Sequence, residues 1–227
     1  MTGAGVIPPV DKTLAFPARS ALSVDLPFTV DLTDTFSMYA GVSGSTTSPN
    51  GLDLSLFSLT SWSTGFQADL HQQNGGALPT VTIQSTVTGS IPSGLLTTTT
   101  LTNIIELDYA LDKDETRGFI AGIQHTYVAM SSRLGQIQPS LIGYAGAYYQ
   151  WPSNWKVTAR GGLQSFGGAQ LTNLIHLPSL TQPVLRLDLD RLDDDDNRML
   201  GITAEIMWTP KPAYQLTLRT PLYFTRN

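Results

Sequence analysis

The residues that could do chemistry in this chain are few, and their spacing decides how they are read. Three histidines, His71, His125 and His176, are scattered through the sequence, and none belongs to a metal-ligand spacing such as H-E-x-x-H. His125 precedes Ser131 and Ser132, and a histidine with a serine is the minimum of a lipid hydrolase. A nucleophile of that kind needs a base oriented by a third group, and no carboxylate is placed to provide it. His125 therefore reads as a residue near an interface. His71, followed by Gln72, Gln73 and Asn74, reads as part of a turn, and His176 as part of a long loop.

The stretch 188–196 carries six aspartates, and hard cations take clustered carboxylate oxygens. It lacks the glycine and the closing glutamate of an EF-hand loop, so it reads as a solvated acidic turn. Gly161-Gly162 and Gly167-Gly168 lack the Lys-Ser/Thr pair and the helix of a phosphate cradle; in a strand such glycines mark a bend or a close approach. The chain has no cysteine, which excludes disulfides and thiolate zinc sites. No catalytic residue, metal ligand or cofactor is expected, and the chain does not read as an enzyme.

The remaining charges have a regular place, because the chain alternates with period two. Leu22, Val24, Leu26, Phe28, Val30 and Leu32 alternate with Ser23, Asp25, Pro27, Thr29 and Asp31. Trp62, Phe66, Ala68 and Leu70 alternate with Ser63, Gly65, Gln67 and Asp69. Ile105, Leu107, Tyr109 and Leu111 oppose Glu106, Asp108 and Ala110, and Leu185, Leu187 and Leu189 oppose Arg186, Asp188 and Asp190. Similar runs near 36–43, 81–88, 119–127, 157–164, 200–208 and 214–219 add Arg160, Glu205 and Arg219 to the polar rows. Such alternation is that of strands with one apolar and one polar face. About eleven strands of 9–12 residues result, each near the length that a tilted strand needs to cross a bilayer.

Connections alternate too. Short ones at 33–35, 72–78, 112–116 and 151–154 are interleaved with long Ser/Thr/Gly/Pro-rich ones at 43–61, 90–100, 131–138 and 167–182. That is the habit of an up-and-down transmembrane barrel rather than of a Greek-key sandwich. Alternation alone leaves a soluble sandwich open, because there the apolar rows face each other instead of lipid. The polar rows carry carboxylates and arginines with scarcely any lysine, which suits fixed, paired charges in a narrow lumen. The expectation is an all-β, up-and-down antiparallel transmembrane β-barrel of 10–12 strands. Its lumen would be lined by Asp25, Asp31, Asp69, Glu106, Asp108, Arg160, Arg186, Asp188, Asp190, Glu205 and Arg219. Aromatics near strand ends, among them Phe28, Phe36, Trp62, Phe66, Tyr109, Phe119, Tyr127, Tyr149, Trp151, Trp155, Trp208 and Tyr214, would form the interfacial girdles.

Composition agrees with a wall between oil and water. Only 14% of the 227 residues are charged, against about 25% in an average soluble domain. With 13 basic against 18 acidic residues there is little field to attract nucleic acid. No run approaches the roughly 18 apolar residues of a membrane-spanning helix. Residues 1–17 lack a basic start and an apolar core, so they read as an N-terminal extension and not a signal peptide, ahead of one barrel domain at 18–227. An exported chain would have had its leader removed. The expected partners are a lipid bilayer, in a bacterial outer membrane, and an unnamed small solute. The alternatives are a plugged structural or adhesive barrel and a soluble all-β sandwich.

Three stretches carry a family likeness. VDLPFTVDLTDTFSMYAGVSG at 24–44 resembles the opening strand, L-T-D turn and second strand of bacterial outer-membrane transporter-like barrels. GFQADLHQQNGGALPTVTIQSTVTGSIP, within 62–92, is similar to that family's long hairpin, and YQLTLRTPLYFTRN at 214–227 to its penultimate stretch. The family is the phenol-degradation (MetA) pathway type, distantly akin to the FadL channels. The resemblance implies a barrel acting as a passive pore or transporter-like channel. Two features depart from it: Phe224 is followed by Thr225-Arg226-Asn227 where such chains end on an aromatic, and bacterial barrels have an even strand number. The odd number implies either a further strand, sought at 52–59, or the lack of a terminal one.

Overall fold

The computed structural model describes residues 20–48, 56–91, 97–131, 135–171, 175–193, 198–208 and 212–219. All regular structure there is β. The strands are β1 (Ser20–Thr33), β2 (Phe36–Ser48), β3 (Ser58–His71), β4 (Thr80–Ser90), β5 (Thr98–Ala110), β6 (Arg117–Met130) and β7 (Gly135–Ile137). They continue as β8 (Ser140–Gln150), β9 (Trp155–Phe166), β10 (Ala169–Leu171), β11 (Ile175–Leu177), β12 (Leu180–Leu192), β13 (Arg198–Trp208) and β14 (Pro212–Arg219).

Eleven of them form one antiparallel sheet in the order β1-β2-β3-β4-β5-β6-β8-β9-β12-β13-β14. Every long strand lies beside the next long strand, so no Greek-key crossover occurs among the described residues. The other three, β7, β10 and β11, make a small separate sheet. Its strands fall in stretches expected as the loops 131–138 and 167–182, and three-residue strands are too short for a period to show. His176 accordingly belongs to β11 and not to a loop. Residues 58–59, sought as part of an extra strand, open β3; residues 51–55 lie outside those described, as do 1–19, the acidic tip at 194–197 and Phe224.

Turn chemistry explains the ends. Left-handed backbone at Asn74 (φ 41°) and Gly75 (φ 75°) reverses the chain between β3 and β4, and Asn154 (φ 61°) does so between β8 and β9. Gln73 ties the first of these turns to β5: its Nε2 donates to the carbonyl of Ala110 at 3.0 Å, and its Oε1 accepts from the Ala110 amide at 2.7 Å. Between β5 and β6, the Asp112 carboxylate accepts from the Thr116 amide (2.7 Å) and hydroxyl (2.6 Å). These turns share one end of the sheet with the β1–β2 and β12–β13 connections. The longer connections, including the small sheet, occupy the other.

Register fixes the two faces, because paired residues lie on the same side. The pairs Asp69–Thr82, Thr82–Glu106, Glu106–Gly122, Gly122–Tyr144 and Tyr144–Gly162 trace one face across five interstrand steps. Burial on the two faces is the reverse of a soluble sheet. Among the described residues, the buried side chains are mainly polar, including Gln84, Thr102, Gln124, Gln164, Asp188 and Glu205. The opposite face presents Phe28, Ile105, Phe119, Ile123, Leu163, Leu187 and Leu216 to the exterior. Among the described residues the strands of the main sheet pack on their sheet neighbours and, at β6, on the short β7, and no second sheet is stacked across the apolar face.

The sheet is not closed. Among the described residues β1 pairs only with β2, and β14 only with β13. With eleven strands in simple alternation β1 and β14 point the same way, so an antiparallel seam is not open to them. The observed architecture is therefore an all-β, up-and-down antiparallel sheet that is not sealed into a barrel.

Candidate functional site: the polar concave face

Side chains on the polar face meet across separations that side chains standing upright on a flat sheet would not span. Glu106 on β5 and Arg160 on β9 are separated by β6 and β8, about 14 Å in a flat sheet at the usual strand spacing. Yet Arg160 Nη2 lies 3.7 Å from Glu106 Oε2. The face is concave, and its charges point inward.

A network of fixed charges runs from there to β13. Arg160 Nη1 donates to Asp188 Oδ2 at 2.7 Å. Arg186 grips the same carboxylate from its own strand, Nε to Oδ2 at 2.9 Å and Nη2 to Oδ1 at 2.9 Å. The Thr203 hydroxyl on β13 donates to Asp188 Oδ1 at 2.5 Å. Asp188 is 2% exposed, so these partners replace the water it has lost.

Tyrosines carry the network over β6. Tyr144 on β8 lies across Gly122 and donates to Glu106 Oε2 at 2.6 Å. Four residues on, Tyr148 lies across Gly118 and hydrogen-bonds Asp108, with Lys156 Nζ 4.3 Å from its ring centre. An added Cβ at either glycine would sit 2.5 Å from the tyrosine oxygen, so only glycine admits the phenol there. The device recurs at β2–β4, where Tyr39 lies over Gly65 and its oxygen accepts from Gln84 Nε2 at 2.9 Å.

All eleven expected lumen residues take this face by register, but their surroundings differ. Arg160, Arg186, Glu106 and Asp188 are joined directly. Asp108 belongs to the neighbouring tier with Tyr148 and Lys156. Asp190 and Glu205 are buried on β12 and β13, in register with Lys156 and Arg186. Asp69 accepts from Thr82 at 2.8 Å on β4. Asp25 and Asp31 are exposed, because β1 has a neighbour on one side only. Asp31 accepts from Ser37 at 2.6 Å. Arg219 pairs its backbone with Gly201, and its side chain lies outside those described.

Several contributors were not legible in advance. Lys156 shares the parity of Arg160, which was the available signal. Tyr144 and Tyr148 sit in a Tyr/Gly/Ala-rich strand where both faces look apolar. Another missed feature is a continuous row of paired positions, Gln67, Gln84, Ile104, Gln124, Ile142, Gln164 and Gln182, with Gln182 donating to Gln164 at 2.9 Å. Beside the charged network a small recess of about 40 Å³ opens, lined by Gln124, Tyr144, Arg160, Gly162, Arg186 and Glu205 among others.

The histidines are not brought into this face. His125 is exposed on the apolar side, in register with Asn103 and Leu141. Ser131 accepts from the Thr97 amide, and Ser132 lies outside the described residues. His71 Nδ1 is 2.9 Å from the Pro79 carbonyl, and His176 is exposed. Among the described residues no group of three His, Asp or Glu side chains is arranged to hold a metal ion. No protein-family model and no curated protein sequence matches the chain.

Proposed function

We propose that this chain is the wall of a bacterial outer-membrane β-barrel and forms a narrow, cation-preferring passage for small solutes. The observation that carries the reading is the inverted burial. Among the described residues, polar side chains are enclosed while Phe28, Phe119, Ile123 and Leu216 stand more than half exposed. Soluble monomers rarely expose a contiguous apolar patch beyond a few hundred Å², and a lipid environment resolves the conflict. Strands of 11–14 residues reach about 37–48 Å, enough to cross a bilayer core at a tilt of about 40°. Aromatics add support. Tyr109, Phe119, Tyr149 and Trp151 cluster at the short-turn end, while Trp62, Tyr127 and Trp208 lie toward the other. Phe119 and Tyr127 on β6 stand about 27 Å apart along the strand. The likeness of 24–44, 62–92 and 214–227 to transporter-like barrels points the same way.

The cation preference follows from charge. Within β3–β13 the polar face holds the acids Asp69, Glu106, Asp108, Asp188, Asp190 and Glu205 against Lys156, Arg160 and Arg186. In planar bilayers under a salt gradient, the reversal potential of the refolded protein should have the sign of cation preference, and an anion-selective potential would refute this. A second reading, a structural barrel with a filled interior, is favoured by the ties between β5 and β9. It predicts insertion without conductance.

A further inference from the structure

We infer that Arg160 is the latch of the passage, holding it narrow by bridging β5 and β12 and widening it by swinging into the recess beside it. The inference rests on the membrane-channel reading and names the residue that regulates that site.

Three features single out Arg160. First, it is the cation that joins strands otherwise remote: it meets Glu106 at 3.7 Å and Asp188 at 2.7 Å. Second, it is the least satisfied member of the network, since its buried Nε has no hydrogen-bond partner. A buried donor left unpaired has lost its water without replacement, so the bridged arrangement carries a standing penalty. Third, its partners can let it go. Asp188 keeps both arms of Arg186 and the Thr203 hydroxyl, and Glu106 keeps the Tyr144 hydroxyl. The recess gives the guanidinium somewhere to move. Gly161 and Gly162 contribute no side chains to its floor, and Gln124 and Glu205 on its wall offer polar oxygens. Removing the bridge separates β5 from β12 on the concave side, where Tyr144 and Arg160 now fill the space.

The latch also filters. Arg160 is one of three cations on this part of the face, so its displacement leaves the acids less compensated.

The test compares wild type with Arg160→Ala and Glu106→Gln in planar bilayers, after each is shown to float with lipid vesicles. Both variants break the bridge, so both should conduct several-fold more than wild type. Their selectivities should diverge: Arg160→Ala shifts the reversal potential toward cations, and Glu106→Gln shifts it toward anions. Glu106→Gln retains a partner for Tyr144, so it reports even where Arg160→Ala misfolds. Floating variants that conduct as wild type does, or whose reversal potentials move together, overturn the latch while leaving the membrane reading intact. Failure of wild type itself to enter vesicles overturns both.

Discussion

A single charge placed on the apolar face distinguishes lipid from water as its surroundings. Ile123 is 55% exposed on β6, between Ile105 and Gly143 in register. It stands six residues from Arg117 and seven from Met130, the two ends of its strand. At about 3.4 Å per residue and a tilt of about 40°, that is roughly 16–18 Å of depth from either end, the middle of a bilayer. An arginine there costs about 2–4 kcal/mol, a roughly 30- to 900-fold loss in the folded fraction at fixed denaturant. Phe119, two residues from the strand end, lies near the interface, where the same change costs about 0–1 kcal/mol. On a water-facing surface both would fall within about 0.5 kcal/mol of wild type. Equilibrium unfolding in lipid vesicles, followed by tryptophan fluorescence, measures the difference between Ile123→Arg and Phe119→Arg. Equal, small effects at the two depths would refute the lipid-facing assignment.

Other consequences concern the polar face and its turns. Asp188→Ala strands two arginines in a buried site and should lower stability by about 3–5 kcal/mol, whereas Asp25→Ala on the exposed edge should leave the denaturant midpoint in place. Gly122→Val drives the Tyr144 phenol off Glu106 and should cost about 1–3 kcal/mol by overpacking. Combined with Tyr144→Ala it should cost less than the sum of the two, and strict additivity would contradict the packing described. In the β5–β6 turn, hydrogen bonds from Thr116, helped by Arg117, hold the Asp112 carboxyl below its ordinary 3.8. A lowered folded value means that its contribution is complete above the ordinary pKa and lost as pH falls through the lowered one. Hydrogen-exchange protection of the Thr116 amide should therefore weaken only in that acid range, and Asp112→Asn should abolish the dependence.

The faces were readable because period two survives any decision about what surrounds the sheet. Asp188 and Leu187 had to point opposite ways in lipid or in water. The strand number followed from the same period, and the long-strand order from the alternation of short and long connections. What the period could not carry was anything set by curvature. Nothing in the spacing of Glu106 and Arg160 announces that they meet, since their approach depends on how sharply β5–β9 bend. Glycine slots were equally hidden, because Gly122 matters only through the ring of Tyr144 on the next strand. The small sheet was missed because its three-residue strands are too short for a period to show, and the exposure of Asp25 and Asp31 because edge position is a property of the assembled sheet.

The inverted faces stand or fall on where the apolar side goes. Protein refolded without detergent, mixed with lipid vesicles, washed with carbonate and spun through a density gradient answers this in one step. The account predicts that it rises with the lipid and resists the wash. Folded protein that remains soluble at the bottom would contradict it.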